Sequence, residues 1–208
     1  MAAVRRLAEA VRLDCRYDDL ADHLAAHLAA ARAMAAVLPA VHEVAEMLCS
    51  RFASGGYVYT FGNGGSAADA QHFTGELIGH YKRSRRALPA VTMSTDPTVM
   101  TCIANDYDYA DVFARQISAL VRPTDVVVAF TTSGRSANVV AGLQAARLAG
   151  ATTVLFGADG GGPAAAHADY LLLSPTDQTP RSQELHTLML HMISDHVDAW
   201  AASEDRRS

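Results

Sequence analysis

Short apolar runs alternate with amphipathic stretches along most of the chain, and this alternation predicts an α/β fold. Runs rich in Val, Phe and Tyr predict strands, and the longer stretches between them predict helices. Continuous apolar strands separated by helices are typical of a parallel sheet that is buried on both faces. The expected strands are 57–61, 89–93, 125–130, 151–156 and 169–173, and the expected helices are 65–80, 97–104, 110–120, 136–148 and 181–202.

The first quarter of the chain has a helical pattern without a predicted strand. Within this N-terminal helical region, residues 1–54, Pro39 is expected in the first turn of a helix, and the pair Gly55-Gly56 ends the pattern. The first fifteen residues and Ser203–Ser208 are expected to be loosely held ends. The 208 residues fit one compact domain, and no repeat or linker divides them, so we expect a single domain over 1–208.

Composition and charge narrow the class of protein. Half of the residues are hydrophobic and the formal net charge is −5, which argues against a nucleic-acid-binding surface. Apolar runs stay below transmembrane length, the first residues lack a signal-peptide pattern, and Cys15, Cys49 and Cys102 have no paired spacing, so we expect a protein of the reducing cytoplasm without a membrane partner. The basic segment 82–86 is either a solvated loop or an edge that steers an anionic substrate.

Two loops of small and hydroxyl-bearing residues stand where a strand should give way to a helix. Gly62–Ser66 follows the expected strand 57–61, and Thr131–Ser136 follows the expected strand 125–130. Small residues let the backbone approach a ligand closely, and hydroxyls and free N–H groups at a helix N-terminus hold an anion. Because ligands of such sheets bind beyond the carboxyl ends of the strands, the two loops together predict a phosphate pocket.

Four side chains on two helices are candidates for metal binding or proton transfer. His72 and Glu76 are four residues apart on helix 65–80 and therefore share a face, which suits one metal ion but equally suits a helix-stabilising pair. Gln183 and His191 are eight residues apart on nearly one stripe of the last helix. They join a site only if another element brings His72 and Glu76 to them.

Two further polar segments have simpler interpretations. Asn105-Asp106-Tyr107 follows an apolar helix and is expected in a loop, because Asn and Asp readily form their own turns. Asp159–Pro163, with three glycines, is expected to be a turn after strand 151–156. Neither segment indicates a function by itself.

In their order along the chain, these motifs resemble those of the sedoheptulose 7-phosphate isomerases, also called phosphoheptose isomerases, which have the sugar isomerase (SIS) fold. The resemblance runs from about Asp18 to Trp200. It implies a flavodoxin-like parallel sheet between helices, and a homotetramer whose active sites form between subunits, with the last helix contributing across an interface. The motifs are Gly62–Ser66, His72 with Glu76, Asn105-Asp106-Tyr107, Thr132-Ser133-Gly134-x-Ser136, and Arg181-x-Gln183-Glu184-x-His186 followed by His191.

The resemblance also implies roles for individual residues. The implied zinc ligands are His72, Glu76, Gln183 and His191, of which Glu76 and His191 are also the implied acid/base pair. The implied phosphate contacts are Ser66, Thr131, Thr132, Ser133 and Ser136. The implied sugar contacts are Asn63, Gly64, Gly65, Asn105 and Asp106, with Gln183 as a further substrate contact. Three positions depart from the family: His80 stands where many relatives have Arg, Thr131 stands where Ser is common but keeps a hydroxyl, and Arg135 stands where Asn is common.

The implied activity is the ketose–aldose isomerisation of sedoheptulose 7-phosphate to D-glycero-D-manno-heptose 7-phosphate through a metal-assisted enediol. Such a reaction needs a base, an acid and stabilisation of developing negative charge. Two alternatives stay open: a non-catalytic SIS adaptor and a sugar-phosphate-sensing module. The adaptors of this fold lack the carboxylate and imidazole pair, so the presence of both Glu76 and His191 favours the enzyme.

Overall fold

A computed structural model describes residues 17–207, so the expectation of a loose N-terminal end and the residue Cys15 lie outside the described part of the chain. The helices are α1 (Tyr17–Ala33), α2 (Leu38–Ala53), α3 (Gly65–Ile78), α4 (Pro97–Asp106), α5 (Ala114–Leu120), α6 (Ala137–Leu148) and α7 (Thr179–Asp205). The strands are β1 (Val58–Gly62), β2 (Ala90–Thr92), β3 (Val126–Phe130), β4 (Thr152–Gly157) and β5 (Tyr170–Leu173). Short 3-10 helices are Met34–Ala36, Tyr109–Asp111 and Gly162–His167.

The strands form one parallel sheet in the order β2-β1-β3-β4-β5. Each predicted strand is confirmed to within one residue at either end. This order is the flavodoxin-like one, in which the chain reverses its direction of winding between β1 and β3. The expected α/β class and the flanking helices are confirmed, as is Pro39 in the first turn of α2.

Both faces of the sheet are buried because successive strand residues point in opposite directions. On one face, Val126 and Val128 pack with apolar side chains of α2, α3 and α7. On the other face, Val127 and Ala129 pack with apolar side chains of α4, α5 and α6. The central strands are therefore fully buried along their length, as their unbroken apolar sequences predicted.

Two predicted loops are instead helical. Asn105 and Asp106 form the last turn of α4, because the helix continues past the buried Ile103 and Asn105 donates a hydrogen bond to Asp106 at 2.7 Å. At the other end of the chain, Ser203 to Asp205 extend α7 beyond the predicted boundary. Asp205 is held there by the backbone N–H of Arg86 at 2.7 Å and by its guanidinium group.

The described residues include two cysteines and one bent pair of apolar helices. Cys49 and Cys102 are both free thiols, and burial raises the pKa of Cys49 to about 12. Within residues 17–207, no single helix combines the length and hydropathy that crossing a membrane requires. The stretches Asp19–Ala36 and Leu38–Ala53 pass that test only when joined, and a 65° bend separates them.

The glycine-rich turn after β4 supports the second polar loop. Gly134 has a φ of +61°, and a Cβ built there would collide with the carbonyl oxygen of Gly161. The carbonyl of Gly134 in turn accepts a hydrogen bond from the N–H of Ala164 at 3.0 Å. The segment predicted as an isolated turn is therefore a packing partner of Thr131–Ser136.

We expect Gly134→Ala to destabilise the protein more than Gly160→Ala. Both positions have a left-handed φ, which costs an alanine about 1–2 kcal/mol, but only at Gly134 does the new methyl group meet backbone atoms. The collision adds at least about 1 kcal/mol. Urea unfolding of both variants measures the difference, and equal losses would contradict the packing of Gly134 on Gly161.

Candidate functional site

The two polar loops leave neighbouring strands at the carboxyl edge of the sheet. The first follows β1 and the second follows β3, and these two strands are paired in parallel from Val58–Val126 to Gly62–Phe130. The reversal of winding lies between them, and this is where open α/β sheets bind their ligands. The predicted juxtaposition of the two loops is thus present in the structure.

A pair of asparagines ties the first loop to the helix that follows the second. Asn63 Nδ2 donates to Asn138 Oδ1 at 2.8 Å, and Asn138 Nδ2 donates to Asn63 Oδ1 at 2.9 Å. Tyr109 Oη also donates to Asn63 Oδ1, at 3.1 Å. One N–H of the Asn63 amide is left for a ligand. Sequence reasoning missed Asn138 and Tyr109, since neither lies in a polar motif of its own.

Hydroxyl groups line the second loop and the start of α6. Thr131 Oγ1 accepts from the N–H of Gly134 at 3.2 Å, and Ser133 Oγ accepts from the N–H of Arg135 at 3.2 Å. Ser136 is the N-cap residue of α6, yet its side chain makes no capping hydrogen bond. The first amides of α6 and the Ser136 hydroxyl are therefore available to an anion at this helix N-terminus.

A polar seam runs between the parallel helices α3 and α7. At the N-terminal end of α3, the amide of Gln183 lies so close to Gly65 that a Cβ built on Gly65 would collide with the amide. One turn further, Thr187 Oγ1 donates to Asp69 Oδ1 at 3.3 Å. Gly65, Asp69, His72 and Glu76 follow one another at intervals of three or four residues, so they share one face of α3. The seam therefore leads from the first loop along both helices.

Three of the four residues proposed as metal ligands lie together at the other end of this seam, at the level of the C-terminal half of α3. His72 Nε2 lies 3.1 Å from Glu76 Oε1 and 3.2 Å from His191 Nε2. The rings of His72 and His191 meet edge to face, with centroids 4.9 Å apart. All three groups come from one chain, so this cluster forms without a residue of a neighbouring subunit. Parallel packing of α3 and α7, which no local pattern reveals, brings them together.

The other predicted site residues lie elsewhere. Gln183 lies two helical turns from His72, beside the first loop, and so stands outside the three-residue cluster in this structure. The hydrogen bonds of Asn105 and Asp106 stay within α4, where the Cys102 thiol also donates to Asp106. His80 is exposed just beyond the end of α3.

The environment of His191 favours its neutral form. Partial burial lowers its pKa below the ordinary value, and the neighbouring His72 and Lys82 lower it further, while Glu76 opposes them. The ring of Tyr81 stacks on the His191 ring at 5.2 Å between centroids, and the Lys82 ammonium lies over Tyr81. A neutral imidazole is the form that binds a metal or accepts a proton.

The basic segment 82–86 is a loop whose residues other than Arg85 are exposed, and carboxylates of α7 hold it in place. Buried Asp198 accepts from the N–H groups of Lys82 and Arg83 at 2.7 and 2.6 Å and from Arg85 Nε at 2.8 Å. Arg85 and Asp198 side chains are 1% and 0% exposed. Further along, Arg83 pairs with the exposed Asp195. These contacts fix the segment that carries Tyr81.

The donor set of the cluster suits a divalent transition metal. One donor atom each from His72, Glu76 and His191 lies within 4.8 Å of the other two. Two imidazole nitrogens and one carboxylate oxygen leave a further coordination position open, as catalytic metal sites do. The residues present therefore fit the kind of ion that the sequence predicted.

Comparisons with known proteins agree with this geometry. Residues 22–157 match the model of the SIS domain family. The chain is 43% identical over 160 residues to the phosphoheptose isomerase of Roseiflexus sp. (strain RS-1), which covers 77% of this chain and 81% of the relative. A phosphoheptose isomerase structure from Francisella tularensis has a TM-score of 0.85 at 30% identity, covering 88% of this chain and 97% of the other. One from Neisseria gonorrhoeae has a TM-score of 0.83 at 36% identity, covering 88% and 98%.

We expect Asp198→Asn to lower the free energy of unfolding at pH 7 by about 3–5 kcal/mol, because it leaves the Arg85 guanidinium buried without its counter-ion. Asp195→Asn, which removes an exposed partner of Arg83, is the matched control and should cost less than about 1 kcal/mol. Urea unfolding measures both.

The same pair of variants tests a pH dependence. Burial alone would raise the pKa of Asp198, but the backbone N–H groups of Arg83 and Lys82 and the Arg85 guanidinium outweigh it and leave the pKa below the ordinary value. The stabilisation is therefore present above the ordinary carboxyl pKa and lost as pH falls through the lowered one. If the loss of unfolding free energy in Asp198→Asn stays constant into strong acid, this assignment is wrong.

Proposed function

The chain belongs to the phosphoheptose isomerases, a family of SIS-domain proteins, and we propose that it interconverts sedoheptulose 7-phosphate and D-glycero-D-manno-heptose 7-phosphate. The observation that carries the proposal is the seam between α3 and α7. It joins the proposed anion-binding end at Gly65 to the proposed proton-transfer end at Glu76 and His191. A substrate with a phosphate at one end and a reacting carbonyl at the other has this polarity.

The proposed phosphate pocket lies at the two loops. Backbone N–H groups at the starts of α3 and α6 hold the anion, with hydroxyls from both loops around it. Its proposed members are Ser66, Thr131, Thr132, Ser133 and Ser136. Binding energy from the phosphate fixes the distant reacting carbons, which is how a non-reacting group contributes to turnover.

The proposed sugar contacts lie between the pocket and the cluster. Asn63 keeps one N–H for a sugar hydroxyl after its bonds to Asn138 and Tyr109 are counted. Gln183 reaches the same region from α7 and is proposed as a substrate contact. The remaining proposed contacts are Gly64, Gly65, Asn105 and Asp106.

The proposed chemistry is a proton transfer between C1 and C2 of the open-chain sugar. One group takes a proton from C1 of the ketose while the C2 oxygen gains a proton, which gives the enediol. Loss of the C1 hydroxyl proton and protonation of C2 then give the aldose. Glu76 and His191 are the proposed proton carriers, and the lowered pKa of His191 keeps its imidazole ready to accept.

A metal ion is part of the proposal, with zinc as the proposed ion. His72, Glu76 and His191 would hold it, and Gln183 is the fourth proposed ligand. A bound zinc ion supplies Lewis-acid polarisation of a substrate oxygen. Tyr81, stacked on His191, holds that imidazole in its orientation toward the cluster.

An activity assay with two variants tests the proposal. Purified, zinc-supplemented protein is incubated with sedoheptulose 7-phosphate, and we expect an aldose heptose phosphate on chromatography. Glu76→Gln should lower kcat by roughly 10²–10⁴-fold, because the amide cannot carry a proton, whereas the exposed Glu43→Gln on α2 should leave kcat unchanged. Solvent deuterium incorporation at C1 of the substrate should fall with kcat.

The outcomes separate the alternatives. Binding of the sugar phosphate without any turnover would identify a sensing module, and neither binding nor turnover would identify an adaptor. Zinc content of Glu76→Gln is measured alongside, because Glu76 is also a proposed ligand. If that variant exchanges and isomerises like the unmodified protein, its role in proton transfer is wrong.

The assembly is proposed to be a cytoplasmic homotetramer. Leu20, Leu24 and Leu28 form a stripe on α1 and are 56%, 60% and 45% exposed in the isolated chain. Leucines at this spacing form one apolar helix face, which is typical of a surface that another subunit covers. The open side of the seam, where His72 is exposed, gives neighbouring subunits access to the proposed site.

We expect mixed tetramers of Glu76→Gln and His191→Gln chains to stay inactive. Each chain supplies all three groups of its own cluster, so every cluster in a mixed assembly lacks one proton carrier. Subunits are exchanged reversibly, exchange is verified by native mass spectrometry, and activity is compared with the mean of the two parent proteins. Recovery of activity above that mean would mean that His191 serves a neighbour's cluster.

A further inference from the structure

A second group of converging donors lies where α2 packs against α7. Its members are His42 and Glu46 of α2 and His196 of α7. His196 Nε2 lies 2.6 Å from Glu46 Oε1, and the rings of His42 and His196 meet edge to face with centroids 5.3 Å apart. One donor atom of each residue lies within 4.8 Å of the other two. The proposed reaction uses none of these groups.

This second cluster repeats the donor pattern of the first. In both, a His and a Glu four residues apart on one helix meet a His of α7, and the two imidazoles stand nearly perpendicular, at 79° here and 80° in the first cluster. His191 and His196 are five residues apart, so they point about 140° apart around α7. One faces α3 and the other faces α2.

An ion pair needs only one imidazole and one carboxylate, whereas this cluster has two imidazoles. His27 and Glu184 form such a pair, with 2.7 Å between Nδ1 and Oε2. Across residues 17–207, groups of three or more metal-type donors from His, Cys, Asp and Glu meet at only the two clusters. The His42 cluster therefore differs from a plain imidazole–carboxylate contact by its third donor.

The helices that carry the donors are fixed by buried apolar contacts. Val41 and Ala45, which flank the donors of α2, are 5% and 1% exposed, and Ile193 and Val197 of α7 are 0% and 1% exposed. All four belong to one core cluster. The donor side chains themselves project to the outside, where His42 is exposed to solvent. The arrangement is thus held by rigid backbone and open to an incoming ion.

We propose that His42, Glu46 and His196 form a second divalent-metal site, which takes zinc with water at the fourth position and clamps α2 to α7. Two imidazole nitrogens and one carboxylate oxygen are ligands that zinc accepts in tetrahedral geometry. A zinc ion that binds the folded chain and not the unfolded chain stabilises the folded state. The site stands apart from the proposed isomerase activity and holds whether or not that activity is found.

Zinc binding is measured on full-length protein whose first cluster is removed by His72→Gln and His191→Gln. We expect isothermal titration with zinc to give one equivalent per chain, and cobalt to give the visible absorption of a tetrahedral site. Adding His42→Gln, or separately His196→Gln, removes the remaining equivalent. The zinc-dependent rise in melting temperature disappears with it.

His27→Gln in the same background is the matched control, because it removes an imidazole that contacts a carboxylate outside both three-donor clusters. It should keep the zinc equivalent and the cobalt spectrum. Circular dichroism of the zinc-free variants verifies that each is folded. The proposal is overturned if the background protein binds no zinc, if binding persists when His42 and His196 are both replaced, or if His27→Gln removes it equally.

Discussion

The parallel packing of α3 against α7 is the constraint on which the candidate site depends. Phe73 and Leu77 of α3 and Leu185 and Met189 of α7 are buried in the same apolar cluster. Because both helices return in the same direction from strands of one parallel sheet, equal steps along them keep opposite residues opposite. The apolar contacts thus set the polar ones: the loop end and the proton-transfer end of the seam are separated by a fixed number of helical turns, whatever ligand is present.

Buried polar contacts hold the segments that the apolar core does not reach. The reciprocal amide pair of Asn63 and Asn138 joins the first loop to α6 across the point where the winding of the sheet reverses. Asp198 satisfies the backbone N–H groups that follow α3 and places Tyr81 against His191. Such groups lose much when one partner is removed, because the other remains buried without compensation. Loops are otherwise the mobile part of a fold, and these contacts fix their positions as apolar packing fixes a core.

The sequence predicts what depends on neighbours along the chain and misses what depends on packing between distant segments. The strands, the two polar loops that follow β1 and β3, and the shared face of His72 and Glu76 follow from local patterns, and all are present. That His191 of the same chain meets this pair does not follow from local pattern, because it depends on how α7 lies on α3. The ion pairs of the basic segment 82–86 were missed for the same reason, since their carboxylates lie more than a hundred positions away.

One helix carries groups that belong to several different neighbours, and this limits how the chain can change in length. Over its 27 residues, α7 presents Gln183 to the first loop, the buried His186 to the carbonyl of Gly157, His191 to α3 and Asp198 to the basic segment. Deleting one residue within this stretch would turn everything after it by about 100°. Length variation among descendants of this sequence should therefore accumulate at the turns between elements, while α7 evolves by substitution alone.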